Sequence, residues 1–209
     1  MTIAHFSDLH FGRIAHPGIV DALVREVNEE AVDLAVLSGD LTQRARPTEF
    51  ERAVAMLDAI ESPTLVVPGN HDVYPWWRPY RRLATPLRRY RRSVTDDLAP
   101  TFEAGDVAVL GLSTPHGATI KGGRVTPGDR KVLRQYFASV GPEAFKVLVL
   151  HHHLTELRSL GRHDVARQAR RTLDAAVELG VELILCGHLH VSHIEPLTII
   201  PRERRMVVA

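Results

Sequence analysis

Six short apolar runs set the plan of this chain: Ile3 to Phe6, Leu34 to Ser38, Thr64 to Val67, Val107 to Leu112, Val147 to Leu150 and Glu182 to Cys186. Most are separated by stretches whose apolar residues recur at helical spacing. Ile19, Val20, Leu23, Val24 and Val27 form one stripe, Phe50, Ala53, Val54, Leu57 and Ile60 a second, and Val165, Ala169, Leu173, Ala176 and Val177 a third. Pro47 near the start of the second stripe, Thr126-Pro127 and Gly180 after the third stripe are helix boundary signals. Strand alternating with helix predicts an α/β domain around a largely parallel sheet. In such sheets ligands gather beyond the carboxyl ends of the strands, so the residues that follow each run carry the functional information.

Those residues are Asp8-Leu9-His10, then Gly39-Asp40 within Leu37–Gln43 (LSGDLTQ), Gly69-Asn70-His71-Asp72, His151-His152-His153, and Gly187-His188-Leu189-His190. Any one of them alone reads as an ordinary polar pair. Five in order, each directly after an apolar run, need a common cause, because buried carboxylates and imidazoles without partners cost several kcal/mol in rough terms. Alternate residues of an extended segment point the same way, so Asp8 with His10, and His188 with His190, are each expected to grip one centre. The glycines before Asp40, Asn70 and His188 allow tight turns and close backbone approach. Carboxylate, imidazole and amide oxygen make a mixed donor set suited to Mn, Fe, Zn or similar divalent ions. Seven such donors exceed one ion and suit two that share a carboxylate.

With these blocks the chain resembles the calcineurin-like metallophosphoesterases from Ile3 to His190, through DxH, GD, GNHD, a histidine block and GHxH in order. The resemblance implies a four-layer α/β/β/α sandwich, two β-sheets flanked by helices with the site at the strand ends. It implies one metal held by Asp8, His10, Asp40 and His190, and a second by Asp40, Asn70, His151 and His188, with Asp40 bridging. The family commonly shows His-His-Pro where this chain has His151-His152-His153-Leu154, so His152 stands as the alternative to His151. Family members also continue past the last motif through further strands, whereas this chain runs to Arg205-Met206-Val207-Val208-Ala209. An incomplete C-terminal sheet edge is therefore one expectation, in a shortened member or a trimmed chain. Within the family, compact length and short loops resemble the class III cyclic nucleotide phosphodiesterase branch.

The implied chemistry is hydrolysis of a phosphoester, most simply a small phosphodiester of cyclic nucleotide or glycerophosphodiester type. A hydroxide held between two ions about 3.5–4 Å apart would attack in line with the leaving oxygen. His71, beside Asn70, is the candidate general acid, and Asp72 is expected to orient it or otherwise to serve as a turn residue. The alternatives are a nuclease or a phosphomonoesterase, including a phosphoprotein phosphatase, and a non-catalytic scaffold. The intact donor set argues against the scaffold.

Composition limits the rest. The 209 residues, 44% of them apolar, fit one domain, residues 1–209. A net charge of +1 gives no global reason to expect nucleic acid, membrane or acidic partners. Met1 leads directly into the first strand without a basic and apolar leader, no apolar run reaches membrane-span length, and the single Cys186 fits a reducing compartment, so a cytoplasmic protein is expected. One interval departs from the alternation. Tyr74 to Pro100 carries arginines at 78, 81, 82, 88, 89, 91 and 92 with Trp76, Trp77, Tyr80 and Tyr90, and is expected to be a partly helical excursion from the core. A nucleic-acid grip is less favoured there than a solvated helix face, a lid or a homodimer contact. His116, Gly117, Lys121 and Arg124 are candidates for substrate phosphate, with ordinary loop polarity favoured. His153, Leu157, Leu160 and His163 are candidates for one wall, and His5, His16 and His193 read as structural or surface residues.

Overall fold

The computed structural model describes residues 1–14, 18–119, 122–157, 164–199 and 204–209, so His16, Lys121, Leu160 and His163 lie outside the described residues. In chain order the elements are β1 (Ile3–Phe6), α1 (Gly18–Glu29), β2 (Leu34–Leu37), α2 (Pro47–Asp58), β3 (Thr64–Val66), α3 (Pro79–Ala84), α4 (Arg88–Ser93), β4 (Thr101–Ala104), β5 (Val107–Gly111), α5 (Pro127–Ser139), β6 (Phe145–Val149), α6 (Ala169–Leu179), β7 (Val181–Leu185), β8 (Glu195–Ile199) and β9 (Arg204–Val208). Helix boundaries follow local chemistry. Thr126 caps α5 by accepting the Asp129 N–H at 3.2 Å while the Asp129 carboxylate accepts the Thr126 N–H at 2.7 Å. Gly180 ends α6 in the left-handed conformation, φ 79°.

The strands form two sheets where periodicity alone suggests one. β1, β2 and β3 make a parallel sheet in that order, and the second sheet runs β4-β5-β6-β7-β9-β8. It is parallel from β5 through β7 to β9, and antiparallel at its two outer pairs. The reason is that the inner strands are apolar on both faces. In β2, Leu34 and Val36 join Val109, Val147, Val149 and Leu185 of the second sheet in one buried cluster. Ala35 and Leu37 face the other way, into a cluster with Val27 of α1 and Phe50 and Met56 of α2. On the far side, Ala108, Leu110 and Leu148 pack with Leu133 and Phe137 of α5 and Ala175 and Ala176 of α6. Helix, sheet, sheet, helix is the resulting layer order, the four-layer sandwich of the α/β class.

Past β7 the chain adds two further strands to the second sheet. Val207 and Val208 pair in parallel with Leu183 and Ile184, and β8 covers the other side of β9 along five residue pairs. The second sheet therefore extends two strands past β7. The arginine-rich excursion is partly helical, and it is tied to the core. Tyr90 of α4 is fully buried and donates its hydroxyl to the Val66 carbonyl at 3.1 Å. Arg82 of α3 is also buried, and its guanidinium donates to the carbonyls of Tyr74 and Gly117, at 2.5 and 3.0 Å, and of Thr119.

Candidate metal centre

All the parallel strands point their carboxyl ends at one rim, and the five polar blocks meet there. Asp8, His10 and His190 form one compact group of donor atoms, Asp8, Asp40 and His151 another, and His10, Asp40 and His71 a third. The Nε2 atoms of His10 and His190 stand 3.2 Å apart, and Asp8 Oδ1 is 3.8 Å from the first and 3.5 Å from the second. On the other side, His151 Nε2 lies 3.1 Å from Asn70 Oδ1. Asp40 Oδ2 sits between the two groups, 3.7 Å from His10 Nε2 and 3.4 Å from His151 Nε2. His188 joins through its ring, centred 5.2 Å from that of His151.

The route by which the paired donors converge differs from strand alternation. Asp8, His10, Asp40, His188 and His190 all have positive φ, between 47° and 76°. These are kinked, left-handed residues past the strand ends, a conformation that costs a side-chain-bearing residue roughly 1–2 kcal/mol. Hydrogen bonds hold the kinks: Asp8 N–H donates to Gly39 O at 3.1 Å, His10 N–H to Asp40 O at 3.0 Å, and His188 N–H to Asp8 Oδ2 at 2.9 Å. Ser7 Oγ also donates to Asp8 Oδ2. Space is cleared by glycine. A Cβ on Gly39, itself at φ 98°, would sit 2.7 Å from His151 Nδ1, and one on Gly69 would collide with the Asp40 carboxylate.

Electrostatics fit a cation. Burial would lower the His151 pKa, but the Asp40 carboxylate overrides it and raises the value to about 9. Burial likewise opposes ionisation of Asp40, yet His151 holds its pKa below the usual carboxylate range. Burial lowers His10, and lowers His188 to about 4 with His151 adding to the effect, so both rings keep lone pairs available at neutral pH. Asp8 Oδ1 is buried without a hydrogen-bond partner and is aimed at the His10 and His190 nitrogens. Donors on one ion with bonds of about 2.0–2.2 Å lie roughly 3–3.6 Å apart, which is close to the spacing found here. The His and Asp groups therefore fit divalent metal.

His152 is buried at the same rim, where it forms a fourth group of donor atoms with His151 and His188. Its Nδ1 meets Thr114 Oγ1 at 2.7 Å, and its ring lies 4.7 Å from that of His188. His71 stands at the mouth, its N–H donating to Asp40 Oδ1 at 2.8 Å and its Nδ1 facing the Gln43 carbonyl at 2.7 Å. The expectation that Asp72 orients the His71 ring is corrected. Its fully buried carboxylate accepts instead from the N–H groups of Leu41, Thr42 and Gly69, at 3.2, 2.8 and 2.9 Å, and from Thr42 Oγ1 at 2.9 Å. Burial and the nearby Asp40 charge raise its pKa to about 6, against the Gly69 and Thr42 donors. Gln43, inside the same Leu37–Gln43 stretch as Asp40, and Thr114 are site-supporting residues that sequence reasoning passed over.

The other candidates are dispersed. His116 and Gly117 belong to a loop whose Gly117 carbonyl is taken by Arg82, and Arg124 is exposed beside an isolated bridge to Arg167. His153 and Leu157 are buried near the second sheet's helices, His5 Nε2 meets Ser38 Oγ at 2.8 Å, and His193 meets Glu195 at 3.2 Å. A cavity of about 690 Å³ opens beside Asp8, His10, His71 and His190, walled by Ile14, Ile19, Val20 and Leu23.

Residues 1–192 match the family model described as calcineurin-like phosphoesterase. The chain belongs to that family of metal-dependent phosphoester hydrolases. Among curated relatives it is 29% identical over 206 residues to the glycerophosphodiester phosphodiesterase GpdQ of Enterobacter lignolyticus, covering 91% of this chain and 71% of that protein. It is 25% identical over 172 residues to the 3',5'-cyclic adenosine monophosphate phosphodiesterase CpdA of Haemophilus influenzae, covering 80% of this chain and 59% of that protein. Among solved structures it resembles a dimetal phosphatase from Danio rerio, with a TM-score of 0.71 at 16% identity over 100% of this chain and 86% of the other. It also resembles a purple acid phosphatase from yellow lupin, with a TM-score of 0.70 at 14% identity over 100% of this chain and 43% of the other. These last two likenesses speak for the fold. No helix among the described residues is long and apolar enough to cross a membrane.

Proposed function

We propose that the chain hydrolyses small phosphodiesters at two divalent ions, one held by Asp8, His10, Asp40 and His190 and the other by Asp40, Asn70, His151 and His188. The observation that carries this reading is the position of Asp40 Oδ2 between two donor groups, within 3.7 Å of His10 Nε2 and 3.4 Å of His151 Nε2. His151 is preferred over His152 because its Nε2 faces both Asn70 and Asp40. Two ions of the manganese, iron or zinc kind would supply Lewis acidity toward phosphate and a nucleophilic water at neutral pH.

The protein's own groups do the remaining work. The Ser38 carbonyl accepts a hydrogen bond from His151 Nδ1–H, which directs Nε2 toward Asp40 and Asn70. Ser7 and the His188 N–H occupy Asp8 Oδ2 and leave Oδ1 directed into the cluster. His71 gives up its Nε2 proton to the leaving oxygen, with the ring fixed by Nδ1–H donating to the Gln43 carbonyl. Asp72 acts at one remove, holding the Leu41-Thr42 and Gly69 backbones so that Asp40 and Asn70 keep their separation.

Diester substrates are preferred because both relatives reported above are named for phosphodiesters, one glycerol-based and one a cyclic nucleotide. The test is a panel on metal-reconstituted protein, with cyclic nucleotides, glycerophosphodiesters and matched bis-aryl and mono-aryl phosphates. Diester turnover above monoester is expected. Faster monoester turnover would replace the proposal with a phosphomonoesterase.

A further inference from the structure

The metal centre leaves the arginine-rich excursion without a role, and the excursion contains a cavity of its own. We propose that Arg81, Arg88, Arg89 and Arg92 build a second anion site, separate from the metal centre, for a compact oligophosphate. These four side chains, with Tyr74, Pro47 and Ser93, line a space of about 500 Å³ that shares no lining residue with the histidine and aspartate cluster. Tyr74 arranges two of them, with the Arg81 and Arg89 guanidinium carbons 5.8 and 4.9 Å from its ring centre. Arg89 is fixed further by donating Nη1 to the Ala45 carbonyl at 2.6 Å.

Three acids on the neighbouring segments are engaged by other groups. Asp96 pairs with Arg91, which does not line the cavity, at 2.6 Å. Asp97 accepts the Ala99 N–H, and Glu49 accepts the Arg44 and Arg46 N–H groups at the start of α2. Among the described residues no carboxylate forms an ion pair with Arg81, Arg88, Arg89 or Arg92. Four like charges converging on one concavity repel one another, and the arrangement is relieved by an anion that presents several charges over a short span. Planar forked guanidiniums match phosphate oxygens in pairs, and the Ser93 hydroxyl adds a neutral donor. A pocket folded between two short helices suits a compact ligand; a nucleic-acid strand would need a charged track continuing beyond it.

The probe is inorganic tripolyphosphate, titrated by calorimetry into the full chain at low ionic strength. The parent and the Asp40→Asn variant are expected to bind alike within about threefold, since the site does not use the metal centre. Arg88→Gln with Arg92→Gln weakens binding at least tenfold, while Arg78→Gln, on the same tract but outside the cavity, leaves it within twofold. Circular dichroism checks the fold of the double variant. If it is altered, Arg88→Lys with Arg92→Lys takes its place, with a threefold or greater loss expected from the missing forked donors. Absence of binding in the parent, loss that follows Asp40→Asn, or equal loss in Arg78→Gln would each overturn the proposal. So would a single-stranded oligonucleotide that binds more than tenfold tighter than tripolyphosphate. The outcome is independent of which phosphoester the metal centre hydrolyses.

Discussion

His151 presents Nε2 to Asp40 Oδ2 at 3.4 Å while its Nδ1 is held by the Ser38 carbonyl at 2.8 Å. The carbonyl can only accept, so the ring's Nδ1 carries a proton, and Nε2 faces a carboxylate and the Asn70 amide oxygen with either a second proton or, once that proton is displaced, a lone pair. A proton or a metal ion between Nε2 and these oxygens would satisfy them, and the metal competes with the proton for the same lone pair. Asp40→Asn preserves the shape and the bond from the His71 N–H, but removes the charge that both donor groups share. Metal content is expected to fall from about two ions per chain to one or fewer, with turnover reduced by about a thousandfold or more in line with loss of metal-assisted catalysis. Elemental analysis beside diester kinetics measures both. Two ions retained at parental affinity would show that Asp40 is no bridge.

His71→Ala separates proton transfer from metal binding. A positioned general acid contributes about 10²–10⁴-fold, and only where the leaving oxygen needs a proton. The variant is expected to lose that factor on an alkyl diester and much less on a nitrophenyl diester, with metal content unchanged. Equal losses on both substrates would assign His71 to binding.

How far the sequence reveals this arrangement depends on the kind of signal each residue leaves. The strands β2, β5 and β6 are short continuous apolar runs, readable because they are buried on both faces, and β1, β3 and β7 keep enough of the same apolar letters although they are only partly covered. The edge strand β4, Thr101–Ala104, alternates between exposed and partly covered residues and lacks that mark. Donor identities at the rim were legible in the motifs. The left-handed kinks at Asp8, His10, His188 and His190 were not, because a positive φ at aspartate or histidine is imposed by tertiary hydrogen bonds. The Gln43 carbonyl beside His71 is a backbone group, which any residue type supplies, so no letter announces it.

A pH dependence of stability follows from His5. Burial lowers its pKa from 6.5 to about 4, partly opposed by Asp8. Because the folded-state value lies below the unfolded one, the unfolded chain binds more protons between pH 6.5 and 4. Stability held above pH 6.5 is therefore lost as pH falls through that window and levels off below about 4. By pH 5 this group alone accounts for about 2 kcal/mol, from 1.36 kcal/mol per pKa unit. His5→Gln keeps an amide where Nε2 meets Ser38 and removes the titration. Urea unfolding at pH 7 and pH 5 should show a smaller drop in the variant, and parallel slopes would exclude His5 as the source.

The last relationship joins the excursion to the fold. Arg82 donates Nε to Gly117, Nη1 to Tyr74 and Nη2 to Thr119, three backbone carbonyls from two separate loops. A planar guanidinium reaches all three at once, whereas a lysine ammonium on a similar stem has one nitrogen to offer. In Arg82→Lys two buried carbonyls lose their donor, at about 1–3 kcal/mol each. The variant is expected to unfold at lower urea concentration by an amount equivalent to about 2–6 kcal/mol. Its tract from Tyr74 to Pro100, rich in arginines, should also become cleavable by trypsin under native conditions before the rest of the chain. Loss of global stability without earlier cleavage in that tract would mean that Arg82 supports the whole fold, and that Tyr90, buried against Val66, is sufficient to hold the excursion in place.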